Sequence, residues 1–209
     1  MKWIVPLMGF REDASRRTGM ERLWADLRRF ASPACTVLAP WEWRDNMRSL
    51  AAFINRNSPG SVPRLFVLAY SWGGGYAFPR LARECERLGL TIETACLCDP
   101  VYRSGLFPWW LPFNPLSLTR QPLIEIPSSV QTVYWVRQHT NLPAGHEIYP
   151  ADPEYTDVAP PTVVEATHTT IDDSVPWRAL VMREAEAFAK GDLCFNNPDK
   201  CCTGTGEGR

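Results

Sequence analysis

RLFVLAYSWGGG, residues 64–75, is the stretch that decides how this chain folds. Residues 65–70 form an apolar run with the length of a buried strand, and the run ends at Ser71. Three glycines follow, and a helical pattern begins directly after them. So short a connection from strand to helix strains the backbone of Ser71 and raises its hydroxyl above the end of the sheet. The turn also places the backbone N–H of Trp72 at the start of the helix, where negative charge is stabilised.

The residues on either side of this serine carry a family resemblance. AYSWGG at residues 69–74 resembles the nucleophile elbow of the α/β-hydrolase family, with Ala69 in place of the family's usual first glycine. Side chains two positions before and after the serine nearly meet in such a turn, so only Gly or Ala fits. The resemblance covers about residues 2–190 and implies a small serine hydrolase of the esterase or lipase type, without a cofactor or a metal.

The rest of the chain alternates between strand and helix patterns, which predicts an α/β fold with a mostly parallel sheet of about five to six strands flanked by helices. Strands are predicted at 2–8, 35–39, 65–70, 90–98 and 130–137, with a short last strand or extended lead-in at 162–166. Helices are predicted at 20–30, 43–55, 76–88 and 175–190. Ligands bind such sheets at the carboxyl ends of the strands, where Gly9, Ser71 and Asp99 fall.

A nucleophilic serine needs a base, and the base needs a carboxylate that orients it. The α/β-hydrolase order is serine, acid, histidine, and Ser71, Asp99 and His168 follow that order. His168 stands after the last strand-like run and before the final helix, where the family keeps its base. His139 and His146 lie in a long loop instead.

The position of the acid has two alternatives. Asp99 closes the strand that follows the elbow helix, where some family members keep the acid, although an Asp-Pro pair also starts ordinary turns. Most members keep the acid one strand later, where the candidates are Asp152, Glu154 and Asp157. Asp172 and Asp173 follow the histidine and are predicted to cap the final helix.

The resemblance also implies where an oxyanion and an acyl group would lie. The backbone N–H groups of Trp72 and Phe10 are the expected oxyanion donors. Residues 101–127 break the alternation with many prolines and aromatic rings, and form either a cap over the site or a loop packed on the core. Four aromatic residues of this excursion are the candidate substrate-binding residues: Phe107, Trp109, Trp110 and Phe113.

These features predict a serine hydrolase that cleaves an ester or thioester of an apolar acyl group. Two alternatives use the same cleft: an acyltransferase, whose acyl-enzyme is resolved by an alcohol or amine, and a non-catalytic binding protein. The expected partner is a small-molecule acyl substrate, and the sequence does not indicate an oligomeric state.

Length and charge narrow the other possibilities. The 209 residues suit one domain at 1–190, followed by a polar, glycine-rich tail at 191–209 that we expect to be disordered. A net charge of −1 offers no electrostatic basis for binding nucleic acid. No apolar segment is long enough to span a membrane. The apolar start at 3–10 is too short for a signal sequence, so we predict a cytoplasmic protein.

The seven cysteines give no metal or disulfide pattern. Four lie inside predicted elements and are expected to be small buried hydrophobic residues: Cys35, Cys85, Cys96 and Cys98. The other three, Cys194, Cys201 and Cys202, lie in or near the tail, at spacings that fit no zinc site. This usage is typical of a reducing compartment.

Overall fold

The computed structural model describes residues 1–10, 18–106, 115–119 and 121–191. The strands are β1 Lys2–Met8, β2 Cys35–Val37, β3 Trp41–Glu42, β4 Arg64–Tyr70, β5 Thr91–Cys98, β6 Ile124–Ile126, β7 Val130–Arg137, β8 Ile148–Pro150, β9 Asp157–Val158 and β10 Thr162–Val163. The α-helices are α1 Gly19–Leu27, α2 Met47–Arg56, α3 Phe78–Leu88 and α4 Val175–Lys190.

The main sheet has the strand order β10-β7-β5-β4-β1-β2, and β6 and β8 form a separate parallel pair. Every pairing along this order is parallel, and β3 and β9 add parallel pairs to β1 and β7. The central strands β1, β4 and β5 are buried along almost their whole length, as expected for strands covered on both faces. The predicted α/β class with a mostly parallel sheet is confirmed.

Helices cover both faces of this sheet and close two apolar layers. On one face α2 and α3 pack through residues such as Leu50 and Leu81. On the other face α1 and α4 contribute Leu23 and Trp177. Burying a large apolar side chain stabilises a protein by about 1.5–3 kcal/mol, so these layers hold the sheet and its carboxyl edge in place.

The observed elements differ from the predicted ones at the start of α2 and at four short strands. Helix α2 begins at Met47 rather than at residue 43, because the side chain of Asn46 accepts a hydrogen bond from Ser49 N at 3.1 Å and caps the helix. Four short strands were not predicted: β3, β6, β8 and β9. Each has only two or three residues, too few to show a periodicity.

The prediction that Asp172 and Asp173 cap the final helix is wrong. Ser174 caps α4 by accepting from Trp177 N. Asp172 instead accepts from the backbone N of Met20 at 3.3 Å, and Asp173 pairs with Arg22. Both carboxylates therefore join the segment after His168 to the start of α1.

Cys35, Cys85, Cys96 and Cys98 are free thiols buried in the core, as predicted. Burial raises the pKa of the Cys85 thiol to about 12. The other three cysteines and the tail from residue 192 lie outside the described residues. Within the described ranges, no helix is both long enough and apolar enough to cross a bilayer.

Candidate active site

Ser71 occupies the turn between β4 and the following helix, with a φ of 53° that non-glycine residues rarely adopt. Its backbone N donates to Cys98 O at 3.0 Å. Its carbonyl accepts from Gly75 N at 2.9 Å and Val101 N at 3.0 Å. The strained turn expected from the sequence is therefore present, and hydrogen bonds to the neighbouring strand end hold it.

The helix after Ser71 begins with glycines because a side chain at these positions would collide with neighbouring backbone. A Cβ added at Gly73 would lie 2.5 Å from Leu7 O at the end of β1. A Cβ at Gly75 would lie 2.1 Å from Val101 O. The nearest obstacle to a side chain at Gly73 is thus β1, rather than the residue two positions before the serine. The first turn of this helix, Gly73–Ala77, is wound as a π-helix.

Asp99 lies at the end of the adjacent strand, β5, and is also left-handed, with a φ of 42°. Its carboxylate is fully buried and accepts several hydrogen bonds. Oδ1 accepts from Gln138 N at 3.2 Å and Gly145 N at 3.0 Å. Oδ2 accepts from Gln138 Nε2 at 3.1 Å. These donors fix the carboxylate in orientation and offset part of the cost of burying its charge.

His168 connects this carboxylate to the serine. Its Nδ1 lies 2.6 Å from Asp99 Oδ2, and its Nε2 lies 2.9 Å from Ser71 Oγ. An ionised carboxylate only accepts hydrogen bonds, so Nδ1 carries the proton and Nε2 is left to accept from the serine hydroxyl. All three side chains are almost completely buried.

Two neighbours hold the backbone and ring of His168. Asn141 Oδ1 accepts from the backbone N of His168 at 2.8 Å. Tyr70, the residue before the serine, donates its hydroxyl to the His168 carbonyl and stacks its ring on the imidazole, with centroids 5.3 Å apart. The imidazole is therefore positioned from two directions.

The alternative carboxylates lie elsewhere in the fold. Asp152 accepts from the backbone N of Glu154 within its own loop. Asp157 starts β9, which pairs with β7. Of the four carboxylates considered from the sequence, Asp99 is the one that bonds to His168.

The two predicted oxyanion residues lie side by side. Phe10 follows β1 and Trp72 follows the serine, and their ring centroids are 4.4 Å apart. Trp43 packs edge-on against Trp72 at 4.8 Å, and Tyr76 contacts Trp43 at 6.1 Å. These four rings, which we call the aromatic cluster, form an apolar wall beside the elbow.

A buried guanidinium completes the aromatic cluster. The Cζ of Arg103 lies 4.5 Å from the ring centroid of Trp72 and 5.1 Å from that of Trp43. Burial lowers the pKa of Arg103. The predicted substrate-binding residues Phe107, Trp109, Trp110 and Phe113 lie outside the described residues.

His146 forms hydrogen bonds to two residues of the 101–127 excursion. Its Nδ1 accepts from Tyr102 N at 3.1 Å, and its Nε2 lies 3.0 Å from the Leu116 carbonyl, to which it donates. Burial lowers the pKa of this imidazole, which favours the neutral form that the two hydrogen bonds require.

Sequence reasoning missed three residues that build the acid side of the site: Gln138, Asn141 and Gly145. Their role depends on a loop that returns to the end of β5, and no local pattern shows such a return. In the described part of the chain, no group of three or more His, Cys, Asp and Glu side chains is arranged to hold a metal ion.

Known structures of similar shape include hydrolases. YbtT, a type II thioesterase from the yersiniabactin NRPS/PKS biosynthetic pathway, is 15% identical with a TM-score of 0.46, over 90% of this chain and 93% of that one. ClbQ, from the colibactin NRPS/PKS pathway, is 11% identical with a TM-score of 0.48, over 92% of this chain and 98% of that one.

A putative YdeN-like hydrolase from Pectobacterium atrosepticum is 16% identical with a TM-score of 0.43, over 90% of this chain and 91% of that one. No protein-family model matches the chain, and no curated protein matches it. The function is therefore inferred below from this chain's own residues.

Proposed function

We propose that the protein is a serine hydrolase that cleaves an ester or thioester through an acyl-enzyme. One observation carries this proposal: the unbroken hydrogen-bonded series from Ser71 Oγ through His168 to Asp99, with distances of 2.9 and 2.6 Å. A structural serine does not require a strained turn, a hydrogen-bonded imidazole and a buried carboxylate in line. A nucleophile that must lose its proton during attack requires all three.

The proposed reaction follows from the direction of these hydrogen bonds. Ser71 Oγ attacks the acyl carbonyl while His168 Nε2 takes the hydroxyl proton. Asp99 keeps the proton on Nδ1 and stabilises the imidazolium that forms. The tetrahedral intermediate collapses as Nε2 gives its proton to the leaving alcohol or thiol. Water, deprotonated by the same nitrogen, then attacks the acyl-enzyme. The bond from the acyl carbon to Ser71 Oγ breaks, Nε2 returns the proton to Oγ, and the acid leaves.

We assign the oxyanion to the backbone N–H groups of Trp72 and Phe10. The contact between their rings supports this assignment, because it holds the loop after β1 against the elbow. Such donors are effective when they are in place before charge develops, since no reorganisation is then needed during the reaction.

The aromatic cluster supports an apolar acyl group. Trp72, the residue that follows the nucleophile, packs against Trp43, and both rings are nearly buried. An acyl chain that displaces water from such a wall gains about 0.8 kcal/mol for each CH₂ that it buries.

A fluorophosphonate probe tests the proposal directly. We expect a covalent adduct on Ser71, mapped by mass spectrometry, that is lost in Ser71→Ala and strongly slowed in His168→Ala. His139→Ala is the matched control, because His139 is an exposed histidine of the loop after β7. Well-folded protein that forms no adduct at several pH values would reject the hydrolase and favour a non-catalytic binding protein. Product analysis with added alcohols and amines separates hydrolysis from acyl transfer.

A further inference from the structure

A groove of about 440 Å³ lies along the first turns of α3, beside the elbow. Three arginines and one glutamate supply its charge: Arg80, Arg83, Arg103 and Glu125. The groove therefore carries a local excess of two positive charges, whereas the whole chain has a net charge of −1. Nothing in the proposed chemistry of Ser71 needs this charge.

The groove is connected to the nucleophile through short backbone contacts. Gly75, on its wall, donates its N–H to the Ser71 carbonyl at 2.9 Å. Val101 donates to the same carbonyl at 3.0 Å, and the next residue, Tyr102, also lines the groove. Two wall segments of the groove, at Gly75 and after Val101, therefore lie one backbone hydrogen bond from the nucleophilic residue.

The arginines differ in their contacts. Arg83 pairs with Glu125 at 3.4 Å, and Glu125 also accepts from the Tyr149 hydroxyl at 3.2 Å. The Cζ of Arg80 lies 4.9 Å from the ring centroid of Tyr76, and Arg103 is buried against the aromatic cluster. Because Glu125 offsets the charge of Arg83, the exposed Arg80 is the arginine of the groove best placed to meet an anion. A planar guanidinium can meet a carboxylate or a phosphate with two N–H groups at once.

We propose that this groove binds an anionic group of the substrate, a carboxylate or a phosphate, with Arg80 as the cationic contact. Arginine suits this task because its planar fork matches both anions with two parallel hydrogen bonds. The inference rests on the proposed function, and it narrows the substrate to an ester or thioester with a negative charge a few atoms from the cleaved bond.

Two matched substrate pairs test the proposal and locate the charge. The p-nitrophenyl monoester of glutarate and p-nitrophenyl pentanoate differ in a terminal carboxylate on the acyl side. The pentanoyl thioesters of 3-mercaptopropanoate and of propanethiol differ in a terminal carboxylate on the leaving group. We expect kcat/KM to be at least about tenfold higher for the charged member of one pair. Added salt should reduce that preference, because it screens exposed charges.

Arg80→Gln is the informative variant because Arg80 is exposed, so its loss does not disturb the core. We expect it to lower the ratio of charged to uncharged kcat/KM about tenfold. Arg87→Gln is the control, since Arg87 is an exposed arginine of the same helix that pairs with Glu84 and does not line the groove. Calorimetric titration with glutarate and with pyrophosphate measures anion binding without turnover.

The outcomes distinguish this inference from the proposed function. Equal turnover of both members in both pairs overturns the groove proposal and leaves the hydrolase intact. Equal effects of Arg80→Gln and Arg87→Gln overturn it as well. If no substrate is hydrolysed, the titrations decide: anion binding that Arg80→Gln weakens supports the groove, and no binding rejects it.

Discussion

The turns after β4 and β5 place Ser71 and Asp99 in the same unusual conformation, yet the chain builds the two turns in different ways. Both residues are left-handed without being glycine, at φ values of 53° and 42°. The serine turn depends on the residues next to it, because the glycine run lets the helix start lie on β1 and on Val101. The aspartate turn is held by Asp99 N, which donates to Val136 O at 2.8 Å, and its carboxylate by donors 39 and 46 positions away, Gln138 and Gly145.

The difference shows which parts of the site depend on residues near in sequence and which depend on distant residues. A left-handed residue costs on the order of 1–3 kcal/mol unless its surroundings hold it there. At Ser71 the adjacent glycines permit the close approach of β1 and Val101, and the N–H of Val101 then bonds to the serine carbonyl. At Asp99 the end of β7 holds the backbone, and the loop that follows β7 holds the carboxylate. Substitutions of the glycines in the serine turn should therefore mainly lower stability. Substitutions of Asp99 and its donors should mainly lower activity.

Replacing the acid has the largest expected effect on activity. Asp99→Asn should lower kcat about ten-thousandfold, because the amide stabilises neither the correct tautomer nor the imidazolium. Steady-state kinetics on an activated ester measure the loss, and circular dichroism checks the fold. Asp152→Asn is the control for the rival carboxylate and should change kcat by less than about twofold. A large loss in Asp152→Asn would contradict the assignment of Asp99.

The Gly75→Ala variant tests how far the serine turn depends on its adjacent glycines. Gly75→Ala would put a Cβ 2.1 Å from Val101 O, a clash with backbone that only a shift of the helix start relieves. We expect a loss of about 3 kcal/mol in the free energy of unfolding, measured in urea. Gly105→Ala is the matched control, because the nearest atom to its added Cβ is 4.0 Å away. Equal stability of the two variants would disprove the close approach.

The Gln138→Leu variant tests how far Asp99 depends on a residue distant in sequence. Gln138→Leu removes the Nε2 donor to Oδ2, together with side-chain bonds to Thr140, Asn141 and Pro143, but keeps the backbone donor to Oδ1. A hydrogen bond to a charged group contributes about 1.5–3 kcal/mol, so kcat should fall about thirtyfold. We expect KM to change much less, since Gln138 contacts the acid rather than the substrate. A change in KM alone would place Gln138 in substrate binding.

The smallest effect is expected from the imidazole that follows Gly145. Burial lowers the pKa of His146 below its ordinary value of 6.5, so the unfolded chain binds the proton more tightly than the folded one. The contribution of the neutral imidazole to stability is therefore complete above pH 6.5 and is lost as the pH falls towards the lowered value.

His146→Gln should reduce this pH dependence of the urea midpoint between pH 7 and 5, the range around the ordinary histidine pKa. His139→Gln, at the exposed histidine, should leave it as in the wild type. An unchanged slope in His146→Gln would mean that this buried imidazole does not set the acid sensitivity.

The sequence was informative wherever the chemistry is local. The elbow was recognised from residues 69–74, and its strand and helix followed from apolar runs. His168 was favoured over the other two histidines by its place before the final helix. The short strands, the caps formed by Asn46 and Ser174, and the partners of Asp172 and Asp173 escaped prediction, because tertiary contacts select them.

By itself, the sequence determined the parallel sheet, the strained serine turn and the order of serine, acid and histidine, because strand propensity, glycine and periodicity act over a few residues. Only the tertiary structure shows that Asp99, and not one of the later carboxylates considered, lies within hydrogen-bond distance of His168. It also brought Gln138 and Gly145 to that acid and Arg103 to the aromatic cluster. These contacts join residues that are far apart in sequence at the carboxyl edge of the sheet. They depend on tertiary packing, which local sequence patterns do not show.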